Sequence, residues 1–238
     1  MNAARVQRAI GQDACKHRKM SGPRLDHHTA LENPRAIVLL LHGGQQQSTD
    51  PVENKHASWW RMALMARSLR GFAKRHDIAL SLLQYGQRGW NSETQPAPVV
   101  DAMWALDQLS GSHDVPVLLV GHSMGGRTAC RVADHPAVVG VVGLAPWLPP
   151  GEPNRSTARR HLRILHGTAD RWTSAAASRD YVERSRSIAT SATWTSLPGA
   201  GHFMFRRSSA WRRFVEDSLT DILDTATSHE GAPNKGLA

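Results

Sequence analysis

Short apolar runs alternate with longer segments of helical periodicity, and this alternation is what most constrains the fold of the chain. Runs without a polar residue, such as A-I-V-L-L-L at residues 36–41, are typical of strands buried on both faces of a sheet. Strands are predicted at residues 36–41, 78–85, 115–120, 138–144, 162–165 and 193–197, with a weaker signal at 25–31. Helices are predicted from about residue 58 to Gly71 and near residues 99–109, 124–134, 175–185 and 211–222. The pattern predicts an α/β fold, in which a mostly parallel sheet carries helices on both faces.

The length and the charge distribution predict one domain between two tails. A chain of 238 residues in an α/β fold commonly forms a single domain, expected here at residues 25–225. Residues 1–24 and 226–238 lack apolar periodicity and are expected to be disordered. The first 24 residues hold six basic residues and one acid, which gives +5 of the net charge of +9. The remaining charge forms no basic stripe, so no nucleic-acid partner is expected.

Composition also indicates the compartment. The two cysteines, Cys15 and Cys130, have no metal-type spacing and form a poor disulfide framework. We therefore expect a reducing, cytoplasmic environment. No apolar stretch reaches the length of a membrane span, so no membrane partner is expected. Neither a metal nor another cofactor is expected, and the oligomeric state is not indicated.

The motif G-H-S-M-G at residues 121–125 follows a predicted strand and precedes a predicted helix. The pattern G-x-S-x-G in this context predicts a sharp turn that exposes Ser123 as a nucleophile. A serine hydroxyl needs a base, and His202 follows the last predicted strand in a loop of small residues. His42 and His166 also stand at strand ends, but they are expected to support their loops.

The base in turn needs a carboxylate, and Asp170 follows the predicted strand at residues 162–165. Glu152 is the alternative acid. The amide of Met124 is expected to donate to an oxyanion, together with the amide of Gly44 or, as an alternative, of Gln45.

At these residues the chain resembles the α/β-hydrolase superfamily, in particular its small esterase-like members. The resemblance rests on L-H-G-G at 41–44, G-H-S-M-G-G at 121–126, H-G-T-A-D at 166–170 and G-A-G-H at 199–202. It implies a triad of Ser123, Asp170 and His202 that cleaves an ester or thioester of a small to medium acyl substrate through an acyl-enzyme. Two alternatives stay open. One is a C–C bond hydrolase or another non-ester acyl transfer with the same triad, and the other is a small-ligand-binding protein with little turnover.

Relatives with a cap domain usually insert it after the strand that corresponds to residues 138–144. Only about 17 residues, 145–161, separate that strand from the next, so no cap domain is expected. The substrate cleft should then be open and walled by the tryptophans that follow strands, namely Trp90, Trp147 and Trp172.

Overall fold

The computed structural model describes residues 22–230, and for residues 227–230 it describes the backbone alone. The strands are β1 (Arg24–Thr29), β2 (Ala36–Leu41), β3 (Ile78–Gln84), β4 (Val117–His122), β5 (Val138–Leu144), β6 (His161–Gly167) and β7 (Ser191–Leu197). The helices are α1 (Ala57–Arg75), α2 (Ala97–Ser112), α3 (Met124–Arg131), α4 (Ala175–Ser185) and α5 (Ser208–Glu230). Most of the two predicted tails lies outside the described residues. The described residues include a short part of each predicted tail. At the first tail β1 begins at Arg24, and at the second α5 continues five residues beyond the expected boundary at 225.

The strands form one sheet in the order β1-β3-β2-β4-β5-β6-β7. Neighbouring strands are parallel except for β1, which pairs with β3 in the antiparallel direction. The predicted single-domain α/β-hydrolase fold with a mostly parallel sheet is therefore confirmed. Because β4 lies in the middle of the sheet, the residue that follows it is surrounded by the loops after the neighbouring strands.

The core has two layers, one on each face of the sheet. Alternate side chains of a strand point to opposite faces, so Val38 and Leu40 of β2 pack in a cluster with α1 and α5. Ile37, Leu39 and Leu41 pack in the other cluster, with α2, α3 and α4. Burial on both faces explains why the central strands are apolar at consecutive positions.

The first helix differs from its predicted bounds. Its N-cap is His56 rather than Ser58, and it continues through Gly71 to Arg75. Phe72 and Ala73 are buried against the sheet beyond the glycine. Packing of these two residues outweighs the cost of about 1 kcal/mol for glycine inside a helix.

The connection between β5 and β6 holds no cap domain, as expected. Residues 145–160 contain one short 3₁₀ turn, Arg155–Thr157, and otherwise irregular backbone. Across residues 22–230, none of the helices combines the length and the hydropathy required to cross a bilayer.

Candidate active site

Ser123 occupies the turn that joins β4 to α3. Its backbone has φ of 56° and ψ of −119°, a conformation that side-chain-bearing residues rarely adopt. The turn is tight enough that a Cβ at Gly121 would overlap the Gly125 carbonyl, and a Cβ at Gly125 would overlap the Leu41 carbonyl. The glycines of the motif are thus required by backbone approach, and strain at Ser123 holds its hydroxyl outside the sheet.

The three residues of the predicted triad come together at the carboxyl ends of the strands. Ser123 follows β4, Asp170 follows β6 and His202 follows β7. The Ser123 Oγ lies 3.1 Å from His202 Nε2, and His202 Nδ1 lies 2.9 Å from Asp170 Oδ2. These distances allow a continuous chain of hydrogen bonds from the serine hydroxyl to the carboxylate.

Asp170 has a fully buried side chain that accepts several hydrogen bonds. The amides of Trp172 and Thr173 donate to Oδ1 at 2.7 and 3.0 Å, and the Thr173 hydroxyl donates to Oδ2 at 2.9 Å. Burial by itself raises the pKa of this carboxyl, but hydrogen bonds from His166, His202 and the two amides hold the pKa well below its usual range. Asp170 is therefore a carboxylate at neutral pH.

His166 lies behind Asp170, where it cannot reach the serine. Its Nε2 is 3.3 Å from Asp170 Oδ2, and its Nδ1 is 2.8 Å from the Ser178 hydroxyl. The Ser178 oxygen accepts a further hydrogen bond from the Trp194 indole at 3.0 Å. His166 thus supports the loop after β6, as its sequence position suggests, whereas Thr173 and Ser178 carry no sequence signal that distinguishes them.

The other two histidines near Ser123 are buried and neutral. His122 donates from Nε2 to the carbonyl of His202 at 2.9 Å, and burial lowers its pKa to about 3. His42 donates from Nδ1 to the carbonyl of Gly43 at 2.6 Å, and burial lowers its pKa to about 4. Both histidines position neighbouring loops, so His202 is the imidazole that Ser123 contacts.

Glu152, the alternative acid, lies away from His202. Its carboxylate is buried and pairs with Arg127 at 2.8 Å and with Arg131 at 2.5 Å. Of the two candidate acids, Asp170 is therefore the one that contacts His202.

A cavity of about 590 Å³ opens above Ser123. Its walls include Trp147 and Trp172, the latter with 72% of its surface exposed. Trp90 differs from the prediction because it is buried, with 1% exposed, and packs under Trp147 at a ring distance of 6.0 Å. The backbone N–H of Trp90 donates to the carbonyl of Gln45. This hydrogen bond holds the segment after β3 below the wall of the cavity.

Gly44 and Met124 line the same cavity as Ser123. A Cβ at Gly44 would overlap the backbone carbonyl oxygen of Arg88 as well as the end of the Met124 side chain, so the approach of the Arg88 backbone requires glycine here. The amide of Gln45 donates to the carbonyl of Arg88 at 2.8 Å. That bond occupies Gln45 and favours Gly44 as the amide that faces the cavity. Within residues 22–230, no cluster of three or more His, Cys, Asp or Glu side chains has an arrangement that could hold a metal ion.

The class of α/β serine hydrolases is defined by a strained serine between a central parallel strand and a helix. This serine contacts a histidine, the histidine contacts an aspartate, and both partners follow later strands. The model of the alpha/beta hydrolase family matches residues 38–184, so the chain belongs to this family.

Solved structures agree with this assignment at the level of the fold. The chain is similar to XC6422 from Xanthomonas campestris, a serine hydrolase without a lid, with 16% identity, coverage of 84% and 88% of the two chains, and a TM-score of 0.60. An alpha-beta serine hydrolase homologue from Coxiella burnetii shows 15% identity, coverage of 83% and 90%, and a TM-score of 0.61. The monoacylglycerol lipase of Paleococcus ferrophilus shows 17% identity, coverage of 84% and 99%, and a TM-score of 0.57. No curated protein sequence matches the chain significantly.

Proposed function

We propose that this protein hydrolyses a carboxylic ester or thioester of a small to medium acyl group through an acyl-enzyme at Ser123. The observation that carries the proposal is the hydrogen-bonded chain from Ser123 Oγ through His202 to Asp170, with distances of 3.1 and 2.9 Å. The nearest groups thus supply a nucleophile, a base and a carboxylate in the order that acyl transfer requires.

Proton transfer follows the same chain. His202 Nε2 accepts the hydroxyl proton as Ser123 Oγ bonds to the substrate carbonyl carbon, and the imidazolium then delivers the proton to the departing alkoxide or thiolate. Asp170 Oδ2 accepts a hydrogen bond from His202 Nδ1, which leaves Nε2 free to act as the base. Water attacks the acyl-enzyme in the second half of the reaction, with His202 again as the base.

The amides of Gly44 and Met124 are the proposed donors to the oxyanion. Each such donor typically contributes roughly 2.7–4 kcal/mol to transition-state stabilisation. His42 supports this role, because its Nδ1 donates to the carbonyl of Gly43 at 2.6 Å. This carbonyl and the Gly44 N–H belong to one peptide plane, so a bond that fixes the carbonyl also fixes the direction of the N–H.

Two observations support the proposed substrate class: the apolar lining of the cavity and the activity named for a structural neighbour. Trp147 and Trp172 give the cavity an apolar wall for an acyl group. One of the structural neighbours is, by name, a monoacylglycerol lipase, which acts on esters.

A turnover assay with matched 4-nitrophenyl esters and acyl thioesters tests the proposal. The wild type should hydrolyse at least one series. In Ser123→Ala the kcat should fall by more than about a thousandfold, and in Asp170→Asn it should fall by several orders of magnitude. Ser112→Ala, which removes an exposed hydroxyl on α2, is the matched control and should keep full activity. Absence of turnover on every ester and thioester, or full activity in Ser123→Ala, would overturn the proposal.

A further inference from the structure

Arg61, on the second turn of α1, is a cationic side chain without an anionic partner among the residues that the structure describes. Its guanidinium lies over the ring of Phe203, with 4.3 Å from Cζ to the ring centroid, and 5.6 Å from that of Phe205. Its Nε is buried and has no hydrogen-bond partner. Among the ion pairs within residues 22–230, none involves Arg61.

Two other arginines that are largely withdrawn from solvent are paired with carboxylates. Arg127 is 2% exposed and contacts both Glu152 and Glu93, and Arg163 is 12% exposed and contacts Asp221 at 2.6 Å. A partly buried guanidinium usually requires such a partner, because desolvation of an unpaired charge is costly. Arg61 therefore has hydrogen-bonding capacity that the described protein does not use.

Arg61 lies at the proposed catalytic cavity, and it also lines a second cavity of about 460 Å³ between α1 and α5. Arg61 lines the catalytic cavity together with Ser123, His202 and Phe203, and none of the lining residues is an Asp or Glu. The positive charge of Arg61 also reaches His122 at the cavity. Burial is the main cause of the lowered pKa of His122, and the charge of Arg61 contributes to the same shift. On the walls that residues 22–230 provide, a ligand in the cavity thus meets one fixed positive charge and no negative one.

We infer that Arg61 binds an anionic group, a carboxylate or a similar oxyanion, on the ester or thioester that Ser123 cleaves. The inference rests on the proposed function and specifies its substrate class. The planar guanidinium can donate two parallel hydrogen bonds to a carboxylate, and the contact with Phe203 restricts its orientation beforehand. Phe203 follows His202 directly in the chain, so the anchored anion lies close to the reacting centre.

Matched pairs of charged and neutral esters test the inference. On the acyl side, mono-4-nitrophenyl glutarate is compared with its neutral methyl ester, and on the leaving-group side, 3-butanoyloxybenzoate is compared with 3-butanoyloxybenzamide. In at least one pair the wild type should favour the anion by about tenfold or more in kcat/KM, as expected for a hydrogen bond to a charged group. The pair that shows the preference identifies the side of the substrate that carries the anion.

Arg61 variants then show whether this side chain causes the preference. Arg61→Gln should reduce the anion-to-neutral ratio by about tenfold, mainly through KM, and Arg61→Lys should restore part of it because a lysine keeps the charge but lacks the fork. Arg67→Gln removes an exposed charge from the same helix outside the cavity, and the ratio should not change. A partial loss of folded protein lowers both rates equally, so the ratio reports recognition alone.

The outcomes separate this inference from the proposed function. Hydrolysis of neutral esters with no preference for the anion in either pair would overturn the inference and leave the proposed function intact. A preference that persists in Arg61→Gln would also overturn it. Failure to cleave any ester or thioester, charged or neutral, would overturn both.

Discussion

At the scale of single residues, two buried histidines make the stability of the protein depend on pH. Burial lowers the pKa of His42 to about 4 and that of His122 to about 3, whereas an unfolded chain has the ordinary value of about 6.5. Between these values the unfolded state binds more protons than the folded state. The stability is therefore fully present above pH 6.5 and decreases as the pH falls toward 4.

We expect each of the two histidines to lower the free energy of unfolding by up to about 1.4 kcal/mol per pH unit in this window. Urea denaturation at several pH values between 4.5 and 7.5 measures the slope. His42→Gln should reduce the slope by the share of one histidine, while His113→Gln, at the partly exposed end of α2, should leave it unchanged. Equal slopes in the wild type and His42→Gln would show that His42 is protonated in the folded protein.

Residue positions that follow strands could be predicted, but side-chain directions could not. The sequence allowed prediction of Ser123, Asp170 and His202, because each of them stands after a strand and parallel strands end at the same edge of the sheet. Trp90 stands after β3 in the same way, yet the link of its amide to Gln45 turns it into the core. That link joins two loops far apart in the chain, so no local pattern could indicate it. The unpaired state of Arg61 depends likewise on contacts between distant segments.

At the scale of elements, buried ion pairs tie the segment between β5 and β6 to α3. Glu152 in this segment contacts Arg127 and Arg131 of α3, and Arg127 also contacts Glu93 at 2.6 Å. The Arg127 guanidinium lies over the rings of both Trp90 and Trp147, at 4.0 and 4.6 Å from their centroids. This network fixes the part of the cavity wall that Trp147 provides.

Glu152→Gln should destabilise the fold by about 3 kcal/mol, because it leaves a buried arginine without its full complement of charge. Thermal or urea denaturation measures the change. The matched control is Glu183→Gln, which breaks an exposed ion pair between Glu183 of α4 and Arg186, the C-cap residue of that helix. This variant should lower the free energy of unfolding by less than about 1 kcal/mol. The folded Glu152→Gln protein should keep its kcat within a few fold, and a loss of several orders of magnitude would instead identify Glu152 as the acid of the triad.

The type and order of the elements could be predicted more fully than their bounds. Continuous apolar runs identify the central strands, and α4 agrees with its predicted bounds at both ends. The bounds of α1 depend on packing beyond Gly71, and α3 ends three residues before the predicted Asp134. β1 gives a weak signal because it is an edge strand whose exposed side chains need not be apolar.

At the scale of the whole molecule, the absence of a cap from the segment between β5 and β6 leaves the cavity open to solvent. An open wall buries only the first carbons of an acyl chain. Because each buried methylene contributes about 0.8 kcal/mol, kcat/KM should rise by about fourfold per carbon over the first few carbons and then level off. Rates on 4-nitrophenyl esters from acetate to decanoate measure the profile.

Trp147→Ala should flatten this profile, since it removes the apolar wall near Ser123. Trp104→Ala removes a tryptophan of α2 that lies outside the cavity, and the profile should not change. Steady gains out to decanoate that Trp147→Ala does not affect would indicate a deep tunnel rather than an open cleft.

The central claim is that Ser123 is the nucleophile, and covalent labelling tests it most directly. Incubation with a fluorophosphonate, followed by intact-mass measurement and peptide mapping, should give one adduct per chain, located on Ser123. Ser123→Ala should give no adduct although it is folded, and His202→Ala should label far more slowly because the base is missing. An adduct on a different serine, or a wild type that hydrolyses esters without any adduct on Ser123, would contradict the account.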